Sequence, residues 1–359
     1  MREGCSSNKY LVTYIVLGVS VALLFIANLA YGAVSIPVGR VVEILFSSQT
    51  PSDSQYLAWS RIVMDFRLPQ AVTALLCGAS LASSGLLLQT LFRNPLAGPS
   101  ILGISDGANL GVAIVMLYLG GSISLNGGTG SDSILSITGY AAVVFAALVG
   151  ALSILGIIIY MSGRIRNNVM LLIVGIMIGY LASSVISMLN FYASADKVHS
   201  FVMWGMGNFS GVSMQKLPYF AIFSIVGLVG VVLLIKPLNA LLLGENYAAN
   251  LGVRIKPMRI AILLITGILT ASATAFCGPV SFIGLAVPHI ARFILGTSNH
   301  RQLVPVTILS GSAVALLCNM LTVFPGNSYV LPLNAVTPFI GAPVIIYVIL
   351  SKKNVQYFN

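Results

Sequence analysis

The chain has 359 residues, of which 57% are apolar and only 7% are charged, and it carries a formal net charge of +10. Its mean hydropathy of +0.98 excludes a soluble globular protein and leaves no room for a large soluble domain. No nucleic-acid-binding motif accompanies the positive charge, so no nucleic acid partner is expected. The composition predicts an all-α membrane protein surrounded by lipid.

Ten apolar segments follow one another along the chain, each near the roughly 20 residues that a helix needs to cross a bilayer. The predicted spans are residues 11–33, 68–91, 101–119, 134–161, 169–191, 219–235, 260–276, 282–295, 304–324 and 335–350. An even number of spans places both termini on one side. All but five of the 18 Lys and Arg residues lie on that side, which predicts cytoplasmic termini. The five on the outer side are Arg40, Arg61, Arg67, Lys197 and Lys216.

Two connections between spans are more than simple linkers. Residues 194–218, on the outer side, contain FVMWGMGNF, which predicts a short helix at the outer surface. Residues 236–259, on the cytoplasmic side, contain PLNALLLGENYAANLGVRIKP. This second segment is too polar to cross the membrane and too regular in pattern to be a linker, so we expect an ordered cytoplasmic element there.

A Gly-Pro pair occurs at matching places in two parts of the chain. GPSILGIS (98–105) joins spans two and three, and GPVSFIGLA (278–286) joins spans seven and eight. Each pair follows a long helix and precedes a short one, and spans two and seven run in opposite directions. The pattern predicts an inverted repeat, with spans two to five as one half and spans seven to ten as the other.

Small residues recur at helical spacing in spans three and five. Gly103, Gly107 and Gly111 share one helix face, and Gly175, Gly179, Ser183 and Ser187 share another. Faces of this kind let two helix backbones approach closely. They are interpreted either as packing contacts or as a face that moves or lines a pathway.

No catalytic or metal-binding pattern is present in the sequence. No nucleophile, base and orienting group can be assembled, so the chain is not expected to be an enzyme. The cysteines have no metal-like spacing, and no Gly-Lys pair is available for a phosphate-binding loop. ATP-driven transport would therefore need an ATPase in another subunit. His289, in the eighth span, is expected to be hydrogen-bonded structurally.

Acidic residues are sparse, and none falls in the middle of a predicted span. The nearest is Asp106, within the first two turns of span three. Ion-coupled carriers usually need an ion site near the bilayer midplane, so this distribution argues against an ion-coupled secondary transporter acting without an ATPase. That class, and a membrane receptor or structural component without transport, are the alternatives to an ATP-driven transporter.

Five ordered segments carry a family resemblance over residues 10–350. They are FRLPQAVTALLCGASLASSGLLLQTLFRNPLAGPSILGISDGA, MWGMGNFSGV, LLLGENYAANLGV, GPVSFIGLAVPHIARF and NAVTPFIGAPVIIYVIL. In these segments the chain resembles the permease subunits of ABC importers for cobalamin, haem and iron siderophores. The resemblance implies one ten-helix permease domain over residues 1–359 in the bacterial inner membrane. It also implies a pathway at a dimer interface, two cytoplasmic ATPase subunits that bind ATP and Mg, and an external substrate-binding protein.

The resemblance also implies roles for single residues. Within the cytoplasmic segment 236–259, Glu245, Ala248, Leu251 and Gly252 stand where the family has its ATPase-coupling helix; the alternative is an ordinary surface helix. Arg67 stands where relatives dock the binding protein. Gln70, Val323 and Val330 depart from the usual docking pattern, so Arg61 or Lys197 are expected to substitute, or the contact to be less ionic.

The resemblance further places a cytoplasmic gate at Asn167 and Asn168, although both could equally be helix caps. Gly175, Gly179 and Ser183 would then lie near the dimer axis. The substrate is left open between a ferric siderophore, haem and cobalamin. Tyr192, Phe201 and Trp204 near the outer mouth could contact a flat macrocycle or could be ordinary interfacial anchors. A homodimer is expected, although the residues do not distinguish it from a heterodimer.

Overall fold

The computed structural model describes residues 2–46, 54–119, 133–165, 167–323 and 330–350. In these ranges the regular structure is helical, apart from one isolated antiparallel bridge between Val323 and Val330. The helices are α1 (Arg2–Ala30), α2 (Val38–Phe46), α3 (Ser54–Arg61), α4 (Leu68–Phe92), α5 (Ile104–Ala113), α6 (Ser133–Arg164), α7 (Asn168–Tyr192), α8 (Ala195–Gly205), α9 (Leu217–Leu233), α10 (Ile235–Leu242), α11 (Glu245–Asn250), α12 (Ile255–Cys277), α13 (Ile283–Leu295), α14 (His300–Leu321) and α15 (Leu333–Leu350). Residues 166 and 324 and the basic pair at 352–353, all used in the span and charge predictions, lie outside the described ranges.

The predicted spans correspond one by one to apolar helices. Six helical stretches are long and apolar enough to cross a membrane, and α9 with α10, bent by 53°, would make a seventh. Three shorter apolar helices complete the set: Ile104–Tyr118, Ile283–Leu295 and Leu333–Tyr347. The ten-helix membrane fold is confirmed. The outer helix α8 lies in the segment where a short helix was predicted.

The second span begins much earlier than its apolar window. The helix is continuous over Ser54–Phe92, because the π-helical turns Ile62–Arg67 connect α3 directly to α4. The residues before Leu68 are too polar to be recognised as a membrane span from hydropathy alone, but the helical hydrogen bonds of the backbone continue through them. The prediction that this span starts at Leu68 is therefore wrong for the helix, although Leu68 does begin its apolar part.

The inverted repeat has two halves, α4–α7 and α12–α15, and helices of each half pack against helices of the other. The first helix of each half packs on the third helix of the other: α4 on α14, and α12 on α6. On α4, a Cβ added at Gly78 would lie 2.2 Å from the carbonyl oxygen of Gly311 in α14. On α12, a Cβ at Gly267 would lie 2.2 Å from the side chain of Leu155 in α6.

The short helices α5 and α13 start beside the middle of the last helix of their own half. Gly103, in a left-handed conformation (φ 73°), precedes α5 and contacts Gly179 at the middle of α7. Phe282, with φ 66°, precedes α13 and contacts Gly341 at the middle of α15. Both helices therefore begin within the membrane. The matched geometry supports the inverted-repeat interpretation.

Candidate functional site

The cytoplasmic segment predicted to couple to an ATPase folds as two short helices, α10 and α11. Gly244 (φ 106°) precedes α11, and Gly252 (φ 85°) follows it. Nothing lies within 4 Å of a Cβ added at Gly252, so the backbone conformation, and not lack of space, requires glycine there. The two glycines turn the chain sharply at both ends of α11.

Three large apolar side chains of this segment are exposed. Leu243, Tyr247 and Leu251 follow one another at a spacing of four and have exposed fractions of 63%, 51% and 59%. We call these three residues the cytoplasmic stripe. Ala248 is fully buried and packs inside the chain. Of the predicted coupling residues, Leu251 is thus exposed, and it has two exposed apolar neighbours, Leu243 and Tyr247, that the sequence analysis did not single out.

Glu245, at the start of α11, joins the predicted coupling element to the predicted gate. Its Oε1 accepts a hydrogen bond from Nδ2 of Asn168 at 3.1 Å and pairs with Nη2 of Arg259 at 2.9 Å. Asn168 is the first residue of α7, and Arg259 lies in the first turns of α12. The structure therefore brings Glu245 and Asn168, which were predicted separately, into direct contact, and adds Arg259, which the sequence did not single out.

Arg259 also reaches the end of α6. Its Nη1 donates to the carbonyl oxygens of Ile165 at 3.1 Å and Ser162 at 3.4 Å. The residue is only 7% exposed, which is unusual for an arginine at the edge of the membrane. Sequence reasoning counted it only as one more cytoplasmic positive charge, and no spacing signal could have revealed its carbonyl partners.

The two asparagines at the predicted gate have different contacts. The side chain of Asn167 accepts hydrogen bonds from the backbone nitrogens of Val169 and Met170, at 2.8 and 3.4 Å, so the capping interpretation is confirmed for it. Asn168 donates from Nδ2 to the carbonyl oxygen of Leu91 at 3.1 Å as well as to Glu245. It connects α7 to the inner end of α4 and to α11. A gating role for either residue stays a prediction.

The small face of α7 packs within its own chain. A Cβ added at Gly175 would lie 3.0 Å from the Cα atom of Leu102, and one at Gly179 would lie 2.6 Å from Oδ2 of Asp106. The packing interpretation therefore holds for both glycines. Ser183 is exposed. Whether Gly175, Gly179 and Ser183 border a pathway stays a prediction.

Asp106 lies deeper than its place in the sequence suggested. It is in the first turn of α5, but α5 starts beside the middle of α7, and its carboxylate contacts Gly179 there. Asp106 lies in the first turn of its helix, as predicted, but the sequence did not indicate that this turn lies beside the middle of α7. Because α5 starts beside the middle of another membrane helix, every residue of its first turn lies deeper than in a helix that starts at the membrane surface.

At the outer end, Arg67 turns inward. Its guanidinium donates to the carbonyl oxygens of Leu29 and Ala30, both at 2.8 Å, and of Val34, and the residue is 8% exposed. The carbonyls at the end of α1 have no partners within their own helix, so Arg67 satisfies them. Arg61, the other predicted docking residue, is exposed. Docking by either residue stays a prediction.

The positions that depart from the family docking pattern have structural contacts of their own. Gln70 donates to Oδ1 of Asn319 at 2.9 Å, and Asn319 donates to Oδ1 of Asn28 at 2.7 Å, so an amide chain links α4, α14 and α1. Val323 pairs with Val330 in the isolated bridge. Lys197, the alternative docking charge, approaches the carbonyl oxygen of Leu117 at 3.5 Å.

Two histidines hold the inner ends of helices together. His289 Nε2 hydrogen-bonds to the carbonyl oxygen of Pro95 at 2.7 Å, which confirms its structural role. His300 is fully buried at the start of α14. It hydrogen-bonds through Nε2 to Thr90 Oγ1 at 2.8 Å and through Nδ1 to Asn239 Oδ1 at 3.0 Å. It thereby links α10 to α4.

The outer mouth carries the aromatic residues considered as substrate contacts. A cavity of about 150 Å³ is lined by Trp204 together with Tyr140 and Phe276. Phe201 stacks on Trp204 with ring centroids 6.4 Å apart, whereas Tyr192 lines a separate open groove. The ammonium group of Lys216 lies 3.4 Å from the centre of the Tyr140 ring, and burial lowers the pKa of Lys216. In the described ranges, no three His, Cys, Asp or Glu side chains could together hold a metal ion.

The profile of the FecCD transport family matches residues 20–351. The chain belongs to the FecCD transport family. The vitamin B12 import system permease protein BtuC of Citrobacter koseri is 33% identical over 296 residues, covering 81% of this chain and 83% of that protein. The BtuC proteins of Klebsiella pneumoniae and Salmonella typhi are 33% and 34% identical over 291 residues, again covering 81% of this chain, and 83% and 84% of their own lengths.

A solved structure shows the same fold. An inward-facing conformation of a metal-chelate type ABC transporter superposes with a TM-score of 0.78 at 26% identity, covering 95% of this chain and 98% of that one. The family resemblance is thereby confirmed. This FecCD protein is a multi-pass membrane permease of the ABC importer type, and not an enzyme.

Proposed function

We propose that this FecCD permease moves a large chelate, either an iron complex (ferric siderophore or haem) or cobalamin, into the cytoplasm, driven by ATP hydrolysis in a separate subunit. The observation that carries the proposal is the cytoplasmic stripe. Leu243, Tyr247 and Leu251 are exposed apolar residues on a polar cytoplasmic segment, where no lipid would cover them. Such a surface fits the groove of a partner protein.

The partner at this stripe is proposed to be the ATPase, one copy for each of two permease chains. ATP and Mg would be bound there, and this chain would bind no cofactor. Nucleotide-driven closure of the ATPases would displace α11, which is held to the membrane helices by Glu245. A displacement of a rigid element that is joined to packed helices is a common way to switch a protein between two packings.

The second permease copy is proposed to meet this one along α7. Only one face of α7 is buried in its own chain, whereas Ile173, Met177, Tyr180 and Leu181 are exposed. A homodimer would place two such faces around one pathway. On the outer side, the exposed charge of Arg61 is the better candidate for steering an external binding protein, because Arg67 is buried.

The substrate class rests on the relatives and on the outer mouth. The similar proteins are vitamin B12 import permeases, and the similar structure is that of a metal-chelate type transporter. Both names describe large ligands with a bound metal. The cavity of about 150 Å³ beside Trp204 and Phe276 is too small for the whole of such a ligand, but its aromatic side chains would offer one edge of it an apolar surface. We also propose that the chain lies in the bacterial inner membrane with both termini in the cytoplasm.

The test is ATP hydrolysis by the purified permease with its ATPase in lipid nanodiscs. The external binding protein would be added empty or charged with haem, a ferric siderophore or cobalamin in turn. One of these ligands is expected to stimulate hydrolysis. Leu251→Asp, which places a charge on the cytoplasmic stripe, is expected to weaken ATPase binding about tenfold or more, equivalent to ~1.4 kcal/mol.

Leu57→Asp serves as the matched control, because Leu57 is equally apolar and 44% exposed but lies on α3 at the outer end. This variant is expected to bind the ATPase as the parent does. A parent chain that binds no ATPase and takes up its substrate along an ion gradient would overturn the proposed function in favour of a secondary transporter.

A further inference from the structure

Four membrane helices and the coupling segment meet at one polar cluster on the cytoplasmic side. We call it the cytoplasmic junction. It consists of the side chains of Glu245 (α11), Asn168 (α7) and Arg259 (α12), with the carbonyl oxygens of Leu91 (α4), Ser162 (α6) and Ile165, which follows α6.

The guanidinium of Arg259 is the centre of this junction, because its two terminal nitrogens point in different directions. Nη1 donates to the carbonyl oxygens of Ile165 and Ser162, whereas Nη2 pairs with Glu245. Its planar fork can satisfy several acceptors at fixed angles, which a lysine ammonium does not. One side chain therefore fixes the position of α11 relative to the end of α6.

Burial makes this ion pair different from a surface contact. The Arg259 side chain is 9% exposed and that of Glu245 is 31% exposed. In the described ranges the other ion pair, Arg40 with Glu43, has exposed fractions of 53% and 37% and lies at the outer end. An exposed pair of this kind contributes little to stability, because water and salt screen its charges. The charges of the junction are partly buried and are therefore screened less from each other.

The amide of Asn168 extends the junction to α7. Glu245 Oε1 accepts from both Arg259 and Asn168, so a movement of this one oxygen changes two contacts together. Asn168 also holds the carbonyl of Leu91 at the inner end of α4. Next to it, Thr90 is bonded to His300 and, through His300, to Asn239 of α10. The coupling segment is thus attached to the inner end of α4 through both of its helices.

We propose that Arg259 is a positioning residue, which with Glu245 converts displacement of α11 into a movement of the α6–α7 connection. Asn168 receives this movement at the first turn of α7. The inference rests on the proposed function, because it assigns the internal path by which ATPase motion reaches the membrane helices. It gives Glu245 an inward-facing role, and leaves docking to the cytoplasmic stripe.

The test measures the number of substrate molecules taken up per ATP hydrolysed, in proteoliposomes that contain the permease, its ATPase and the charged binding protein. Cobalamin, haem and a ferric siderophore are used in turn, and the one that the parent transports is kept. Arg259→Gln and Glu245→Gln are each expected to lower this ratio about fivefold or more, the lower end of measured coupling between sites. ATPase binding is expected to stay unchanged.

The double variant decides whether the two residues act together. If they do, Arg259→Gln combined with Glu245→Gln lowers the ratio no further than either single variant, because the second change removes a contact that is already lost. Lys256→Gln is the matched control: it removes an exposed positive charge three residues away on α12, and it is expected to keep the parent ratio.

Uptake and hydrolysis that fall in proportion, with an unchanged ratio, would overturn the inference and leave Arg259 a purely structural residue. If Arg259→Gln does not assemble, Asn168→Ala decides instead. It leaves the ion pair intact and removes the contacts of α7 with Glu245 and with the carbonyl oxygen of Leu91, so a lowered ratio supports the inference and an unchanged ratio overturns it. A parent chain that transports none of the three probes would instead contradict the proposed function.

Discussion

At the residue scale, Arg67 and Gln70 have contacts within the protein that differ from the role implied by the family resemblance. Both lie at the outer end of α4, where the family resemblance implies charges that meet a binding protein. In the structure Arg67 caps the end of α1, and Gln70 belongs to an amide chain with Asn319 and Asn28. Only the folded chain shows that their polar atoms are already occupied by partners within the protein.

Arg67→Gln is expected to destabilise the protein by about 2–3 kcal/mol, because the buried carbonyls of α1 lose a charged donor. Thermal unfolding of the purified permease measures this change. Arg61→Gln, an exposed arginine nearby, is the control and is expected to stay within about 0.5 kcal/mol of the parent. An Arg67→Gln chain of unchanged stability that binds the external protein more weakly would instead make Arg67 a docking residue.

At the element scale, the helices of this protein cross at glycines. Gly85 of α4 faces Gly284 of α13, and a Cβ added at Gly85 would lie 1.6 Å from the carbonyl oxygen of Gly284. Gly78 faces Gly311 of α14 in the same way. These contacts join one half of the repeat to the other. The sequence identified glycine faces in α5 and α7 but gave no signal for which helix would meet α4.

Gly85→Ala is expected to destabilise the protein by about 3 kcal/mol or more, because the new methyl group would overlap a backbone carbonyl that cannot rotate away. Thermal unfolding in detergent is the measurement. Gly18→Ala in α1 is the control, since nothing lies within 4 Å of a Cβ at that position. Equal melting temperatures for the two variants would show that α4 and α13 do not cross as closely as described.

The short helices α5 and α13 differ from the other helices in the depth at which they start. The two Gly-Pro pairs correctly predicted where short helices follow long ones. Their depth was not predictable, because hydropathy reports that a segment is apolar and not where in the bilayer it begins. Asp106 is the consequence: its neighbour across the helix interface, Gly179, lies at the middle of α7. The sequence did not indicate the depth of this carboxylate, whereas the predicted class, an ABC importer permease, is confirmed by the family match.

At the scale of the whole molecule, the crossed packing makes the two halves depend on each other. The first helix of each half, α4 or α12, is largely buried, and much of that burial comes from the opposite half. The cytoplasmic junction and the His300 contacts add polar links at one end of the bundle. These links connect the segment of α10 and α11 to helices of both halves.

The orientation of the chain is testable by labelling. In a Cys5→Ser background, Asn246→Cys in α11 is expected to react with a membrane-impermeant maleimide only after the cells are opened, because α11 lies on the side with excess positive charge. Ser210→Cys, after α8, is expected to react in intact spheroplasts. Both positions are exposed, and the remaining three cysteines are buried. Labelling of Asn246→Cys from outside would reverse the topology.

The sequence by itself determined the class of this protein: a membrane permease of about ten helices, with an ordered polar segment between two halves that share a Gly-Pro signal. The helix count and the Gly-Pro signal follow from local composition and spacing, which act over one or two turns of helix, whereas the permease class followed from the resemblance of five ordered segments to a known family. Only the tertiary structure decided which residues of that segment face outward and that Glu245, Arg259 and Asn168 meet. Such contacts join residues far apart in the chain, and their geometry depends on how all the helices pack together.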